Sequence, residues 1–227
     1  NRYFTSAQGL DPDYDLAIDA VISGAAGAGI LKDSVVYSWG TSTGGSIRFE
    51  GANTFDGNVT INDSNKGTFV LANNQSLGVP STARTVWVGT GGSLALDGGV
   101  SIADPNSRIE VILRGSGDTR LAAVSSAGIA QSGALFSMSG TNTLPCRITL
   151  SNATQIASSK RMVLQNMING QNFALTVAGP GETVIAGANG MVTNVSSITL
   201  SANATLSLEN TDSANKADRI INTIPLT

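Results

Sequence analysis

Short alternations of apolar and polar residues recur along the whole chain, separated by clusters of Gly, Asn, Ser, Thr and Asp. In GANTFDGNVTIND, residues 51–63, Asn53 and Asp56-Gly57 favour a turn. The strand that follows places Val59 and Ile61 on one face. The alternation returns at Phe69/Leu71, Val86/Val88, Leu94/Leu96, Ile109/Val111/Leu113, Ile148/Leu150, Met162/Leu164, Phe173/Leu175/Val177, Ile198/Leu200, Leu206/Leu208 and Ile224/Leu226. No segment combines an apolar stripe at helical spacing with capping signals, so the sequence predicts an all-β chain.

The turns between these strands favour a parallel β-helix over a sandwich or barrel. They are small and polar, like side chains recur in rows, and outward positions hold Thr, Ser and Asn that can form ladders between stacked coils. Coils of about 20 residues predict roughly 10–11 coils and a rod on the order of 50 Å long. We expect the solenoid to be right-handed. Residues 1–15 are expected to form an N-terminal extension or inter-subunit segment, and residues 16–227 one continuous solenoid.

Composition limits the partners of such a rod. Charged residues are only 13% of the chain, the formal net charge is −3, and no basic run is present. Nucleic acid and anionic membrane surfaces are therefore poor partners. The longest weakly polar stretch, residues 17–31, contains Asp19 and is too short to span a bilayer, so we expect no membrane insertion by this segment. The chain begins with Asn1 rather than Met, and we expect a processed product or a fragment.

The absence of histidine and the single cysteine exclude several kinds of site. Cys146 has no partner for an intrachain disulfide and is interpreted as a small buried apolar residue rather than a reactive thiol. Residues 40–44 match the G-x-S-x-G nucleophile string, but no histidine is present to act as the base. One Cys and no His also cannot build a tetrahedral zinc shell. We therefore expect no cofactor and no metal.

Acidic residues suggest two further kinds of site, a calcium-binding loop and a catalytic carboxylate pair, and both are weakly supported. Asp11, Asp13 and Asp15 have the spacing of an EF-hand loop, but Leu16 and Ile22 occupy its Gly and Glu positions, so the loop fails. β-Helix glycosidases and lyases use a carboxylate pair across a groove, and distant coils could bring Asp97 or Glu110 near another acid. Because the acids are scattered and aromatic residues make up only 5% of the chain, we expect no enzyme.

Six Asn-x-Ser/Thr sequons occur in the chain. They begin at Asn58, Asn62, Asn74, Asn152, Asn194 and Asn203. Such sequons arise by chance in a chain rich in Asn and Thr. We interpret these asparagines as outward-facing ladder residues rather than glycosylation sites.

The order of the motifs carries a family resemblance. GANTFDGNVTI, residues 51–61, resembles the GANTYTGGTTV signature of autotransporter-associated β-strand repeats, found in passenger regions of bacterial surface proteins. GTFVLANNQSLG (67–78), VGTGGSLALDGGVSI (88–102) and GALFSMSGTNTLPCRITLSNATQI (133–156) are similar to later segments of that repeat. The resemblance covers most of residues 16–227. It departs at LKDSVVYSWGTSTGGSI, residues 31–47, which is bulkier and longer than the family's segment.

The resemblance implies an extracellular, bacterial cell-surface role for a structural β-solenoid. Unpaired strand edges at the rod's ends invite another chain, or the continuation of a longer one, to extend the sheet, and DRIINTIPLT at residues 218–227 is strand-like. We therefore expect a spacer, stalk or filament-forming segment that assembles end to end. The alternative is an adhesin whose lateral face binds surface glycans, which predicts exposed aromatics and acids on one face. A glycan-cleaving enzyme is a third hypothesis and requires paired carboxylates in a groove.

Overall fold

The computed structural model describes residues 2–6, 15–36, 42–62, 67–118, 132–209, 219–220 and 225. Within these residues all regular structure is β-strand. The strands are β1 (Arg2–Ser6), β2 (Leu16–Ile18), β3 (Ile30–Val36), β4 (Ser42–Thr43), β5 (Ile47–Phe49), β6 (Val59–Ile61), β7 (Gly67–Leu71), β8 (Arg84–Val88), β9 (Gly92–Leu96), β10 (Ile109–Gly115), β11 (Leu135–Ser137), β12 (Thr141–Leu144), β13 (Arg147–Ser158), β14 (Arg161–Leu164), β15 (Ile168–Asn169), β16 (Leu175–Ala178), β17 (Glu182–Ile185), β18 (Val192–Thr193), β19 (Ile198–Leu200) and β20 (Thr205–Leu208).

Parallel pairing between successive turns arranges the strands in three rows. The first row contains β2, β5, β7, β9, β11, the end of β13, β16 and β19. The second row contains β1, β3, β6, β8, β10, the start of β13, β15 and β18. The third row is β12, β14, β17 and β20. The predicted parallel β-solenoid is thus confirmed.

The number of turns is wrong in the sequence prediction. Among the described residues the first and second rows each contain eight stacked strands, not the roughly 10–11 coils predicted. The reason is the length of the turns, because residues that lie directly above one another are often far more than 20 positions apart. Val59 pairs with Val86, and Leu94 pairs with Leu135. Seven spacings of about 4.8 Å between these eight strands give a rod about 34 Å long, rather than about 50 Å.

The strand β13 joins two rows because it is long enough to turn a corner. Residues 147–150 pair with β10 in the second row, and residues 156–158 pair with β11 in the first. The register shifts between these two parts, where Asn152 and Ala153 are exposed. A corner of this kind places one continuous strand on two sides of the same core.

The core is a stack of aliphatic columns that the register aligns. Val59, Val86, Val111, Ile148 and Ile168 follow one another in successive strands of the second row, and all are buried. Because strand side chains alternate between the two faces, one residue in two points into the rod. Full burial of each aliphatic side chain contributes about 1.5–3 kcal/mol relative to exposure. The core thus accumulates turn by turn.

The first row also buries side chains on its outer side, which the expectation of a polar outer face missed. Val70, Ala95, Phe136, Ala157 and Ala178 are buried and form a second cluster, with Met138 packed against it. They alternate with core residues along their strands and therefore lie on the opposite face. The outward side of this row therefore contains a second buried apolar layer in its middle rather than a solvated polar face.

The start of the rod contains a buried lysine, Lys32, whose register neighbour on β1 is Phe4. Lys32 is fully buried and lies in register between Phe4 and Ile61. Its Nζ donates to the carbonyl of Asp33 at 3.0 Å. Phe4 packs edge-on against Phe49, with ring centroids 5.7 Å apart. Strand β1 falls within residues 1–15, and it extends the second row by pairing with β3.

The described part of the motif, residues 51–62, bends at Gly51 and Gly57 before β6, and Asn53 acts there through its side chain. Asn53 has no positive φ and is buried. Its Oδ1 accepts from the amide of Ile22 at 2.8 Å, and its Nδ2 donates to the carbonyl of Ser76 at 2.8 Å. One side chain therefore ties three successive turns. Gly57 permits close stacking, since a Cβ there would lie 2.4 Å from the backbone of Ala28.

Some side chains expected in the core are exposed near the end of the rod. Leu206 is half-buried, and Leu200 and Leu208 are more than a third exposed. Phe173 is also exposed, because the turn before it places Gln171 and Asn172 at positive φ and directs the chain outward. The alternation identified these strands correctly, whereas the extent of their burial depends on what stacks beyond them.

A matched pair of valine substitutions tests the stacked core. Val86→Ala, at a fully buried position, should lower the free energy of unfolding by about 2 kcal/mol, because it removes buried methyl groups and leaves a cavity. Val79→Ala, at a 43% exposed position, should change it by less than about 0.5 kcal/mol. Urea unfolding followed by circular dichroism measures both, and equal effects would contradict the stack.

Candidate functional site

The sequence-predicted nucleophile and calcium motifs lie only partly in the described residues. Ser42 belongs to the short strand β4, which pairs antiparallel with the end of β3, whereas residues 40–41 lie outside the described residues. Asp11 and Asp13 also lie outside them. Asp15 accepts a hydrogen bond from the Ser46 amide at 2.6 Å. This carboxylate therefore fastens the beginning of β2 to the next turn.

Asp97 is one of the two acids identified from the sequence. It lies near a second acid, Glu50, and both carboxylates form ion pairs with the same arginine, Arg48. Arg48 lies between Asp97 and Glu50, with its Nε 2.6 Å from Glu50 Oε1 and its Nη1 bonded to Asp97. Burial lowers the pKa of Arg48, but the hydrogen bonds to Glu50 and Asp97 outweigh it and raise that pKa overall. Ser139 Oγ donates to the other Asp97 oxygen at 2.5 Å.

A second acid–arginine–acid cluster lies on the third row, and no local sequence pattern predicts it. Arg161 contacts Glu182 at 2.8 Å and Glu209 at 2.6 Å. The hydrogen bond that Arg161 donates to the Glu209 carboxylate is the main cause that raises the pKa of Arg161. A general acid needs surroundings that favour its protonated form, whereas a neighbouring guanidinium favours the charged form. These clusters suit the linking of turns better than acid catalysis.

Glu110, the other acid singled out, bonds to a hydroxyl. Its Oε1 accepts from Thr149 Oγ1 at 2.6 Å, across the register between β10 and β13. Within the described ranges, no group of three or more His, Cys, Asp or Glu residues is placed to hold a metal ion. The same part of the chain contains no helix that could cross a membrane.

Buried polar side chains form hydrogen bonds with backbone groups of the turns between strands. Arg84 is buried over the ring of Phe55, 5.3 Å from its centroid, and donates to the carbonyls of Phe55, Gly57 and Leu77. Burial lowers the pKa of Arg84. Asn142 accepts from the amides of Gly99 and Val100 and donates to carbonyls of two turns. Removing such a group would leave several buried backbone groups unsatisfied, each at a cost of about 1–3 kcal/mol.

The sequon asparagines lie on the outside of the rod. Asn58, Asn74, Asn152, Asn194 and Asn203 are exposed, and Asn62 is half-buried. Several bond to the adjacent turn: Asn58 Oδ1 accepts from the Thr85 amide, and Asn194 Nδ2 donates to Asn169 Oδ1. The outward ladder is confirmed at these contacts, and the absence of glycosylation stays a prediction.

A shallow polar trough runs along the second row where its strands begin. One part has a volume of about 340 Å³ and its lining includes Asn58, Thr85, Ser107, Arg108, Glu110 and Arg147. The other part has about 310 Å³ and is lined by Ser107, Arg147, Asn166, Met167, Asn189 and Met191. Ser107 and Arg147 line both parts, which are therefore contiguous. Volumes of this size lie at the lower end of the range for ligand sites.

Trp87 is not one of the lining residues of this trough, but it lies on the strand that supplies Thr85 to the lining. It lies two residues along β8 from Thr85 and is half-buried on the same outward face. In register it lies between Thr60 and Ile112. No local motif marks these residues, because they meet only through the register of turns 25 or more positions apart.

Cys146 is buried, as predicted, so its thiol should react slowly in the folded protein. Burial is the main cause that raises the pKa of its thiol well above the usual value, and the nearby Asp104 carboxylate adds to it. Because the thiolate is the reactive form, Cys146 should be modified by a disulfide reagent at pH 8 at least about a hundredfold more slowly in the folded protein than in urea. Spectrophotometric thiol titration measures this ratio. Equal rates would show that Cys146 is accessible.

Comparison of the chain with protein-family models, with curated proteins and with solved structures gave no match.

Proposed function

We propose that this chain is a structural segment of an extracellular bacterial surface or filament-forming protein, in which the solenoid acts as a rigid spacer and associates end to end. The extracellular, bacterial part of the proposal rests on the resemblance to autotransporter-associated repeats. The end-to-end part rests on the strand edges and apolar side chains at the two ends of the rod.

The strand edges differ between the sides and the ends of the rod. Along the rod, strands such as β8 and β14 pair on both edges with the turns above and below. At one end, β2 pairs only with β5 among the described strands. At the other end, β20 pairs only with β17 in the same part of the chain. An edge with free amides and carbonyls is a template for another strand.

Exposed apolar side chains coincide with these edges. Leu16 and Val21, at the first end, are 38% and 58% exposed. Leu200 and Leu208, at the other end, are 37% and 48% exposed. Leu208 lies in register on Ile185, which is fully buried, so Leu208 occupies a column that has no next layer among the described residues. Another turn stacked on the end would bury it in the same way.

A head-to-tail contact between the two ends is heterologous and does not close into a ring when the copies share one axis. Repetition of that contact gives a linear filament. The main-chain hydrogen bonds that stack one turn on the next within the rod would then continue across the junction. The edges of β2 and β20, each paired on one side only among the described strands, are the observation that favours a spacer or filament over a compact binding domain.

A charge placed at the end of the rod tests this association. Leu208→Lys should weaken self-association at least about tenfold, since a lysine cannot be buried without a partner in the stacked junction. Val79→Lys adds the same charge at a similarly exposed side position and should leave association unchanged. Sedimentation velocity over a concentration series, with electron microscopy of the largest species, measures both variants.

Two results would contradict the proposal. One is a wild-type protein that stays monomeric at millimolar concentration. The other is a Val79→Lys variant that dissociates as readily as Leu208→Lys, because this would place the contact on the side of the rod.

A further inference from the structure

The trough along the second row has properties that the spacer function does not require. Its lining residues come from successive turns, beginning at Asn58 beside β6 and ending at Met191 beside β18. The strands between them follow the order β6, β8, β10, β13, β15 and β18. Five spacings of about 4.8 Å make the trough about 24 Å long. It is therefore elongated and shallow rather than compact.

Arg147 lies where the two parts of the trough meet. Its side chain is exposed, and within the described part of the chain no hydrogen bond or ion pair engages its guanidinium. Glu110 is its register neighbour, yet Glu110 Oε1 bonds to Thr149 instead. Arg108 also lines the trough, and its Nη1 donates to the carbonyls of Pro80 and Ser81. The trough thus offers one uncommitted guanidinium near its middle.

The remaining groups suit a ligand rich in hydroxyls. Asn58 is exposed and its Oδ1 accepts from the Thr85 amide, so its amide group adds a polar group to the trough. Asn189 is exposed in the second part of the trough. The half-buried ring of Trp87 beside Thr85 supplies an apolar surface with a polar edge. Amides, one guanidinium and a flat aromatic ring together match the hydroxyls, carboxylates and apolar faces of sugar rings.

We infer that this trough binds a linear acidic polysaccharide, with a sugar carboxylate on Arg147 and a sugar ring on Trp87. A guanidinium can bond both oxygens of one carboxylate, which makes it a suitable anchor. Nucleic acid fits poorly, because the chain carries a net charge of −3 and the trough only a few arginines. An extended peptide would need a free strand edge, and the strands beneath the trough are paired on both sides.

Binding of defined oligosaccharides to single-residue variants tests the inference. The probe is a hexamer of galacturonic acid, and the neutral comparison is a glucose hexamer of the cellulose type; isothermal titration calorimetry measures both. The wild-type protein should bind the acidic hexamer at least about tenfold more tightly than the neutral one, since only the acidic hexamer offers a carboxylate for a charge-assisted hydrogen bond with Arg147. Arg147→Gln should lose that difference.

Two further variants separate specific binding from general effects. Lys160→Gln removes one positive charge at an exposed position outside the trough and should bind the acidic hexamer within about twofold of wild type. Trp87→Leu should weaken both hexamers by a similar factor, because the ring packs on the sugar face irrespective of its charge. Circular dichroism checks that each variant is folded.

Three outcomes would overturn the inference. They are the absence of binding of the acidic hexamer at millimolar concentration, equal binding by Arg147→Gln and wild type, and an equal loss in Lys160→Gln. None of them bears on end-to-end association, because the trough lies on the side of the rod.

Discussion

Parallel pairing of each turn on the next, in register, is the constraint on which the rest of this structure depends. It satisfies the main-chain groups along the rod and places like positions of successive turns above one another. Once the register is fixed, Val59, Val86 and Val111 must form one column. The same register brings Arg48 to Asp97, 49 residues away, and makes Arg147 a neighbour of Glu110. Core, ion clusters and trough are therefore consequences of one repeated contact.

The local part of this architecture could be predicted from the sequence, because a strand's two-residue period is visible in any window of five residues. The all-β class and the parallel solenoid follow from such local patterns, and the burial of Cys146 was predicted because it is the only cysteine. The number of turns could not be predicted, because turn length varies with loops whose sequences have no fixed period. Asn53 shows a second limit: its turn position was evident, whereas its bonds to Ile22 and Ser76 exist only after stacking.

The proposed functions use different surfaces of the same rod. End-to-end association uses the edges of β2 and β20 with their exposed leucines, Leu16 and Leu208. Polysaccharide binding uses side chains that project outward from the second row, where the backbone is already paired. A rod that extends at its ends would repeat its lateral trough along a filament, and repeated weak sites on one axis raise avidity without any new contact.

Distances between spin labels along one outward column test the parallel register most directly. Asn58, Thr85 and Met191 lie in the column that runs along the trough, and each can be replaced by Cys in a Cys146→Ala background. Pulsed electron paramagnetic resonance should give about 24 Å for the 58–191 pair and about 19 Å for the 85–191 pair, a difference of one strand spacing. Equal distances for the two pairs, or distances beyond about 40 Å, would contradict a stacked solenoid in this register.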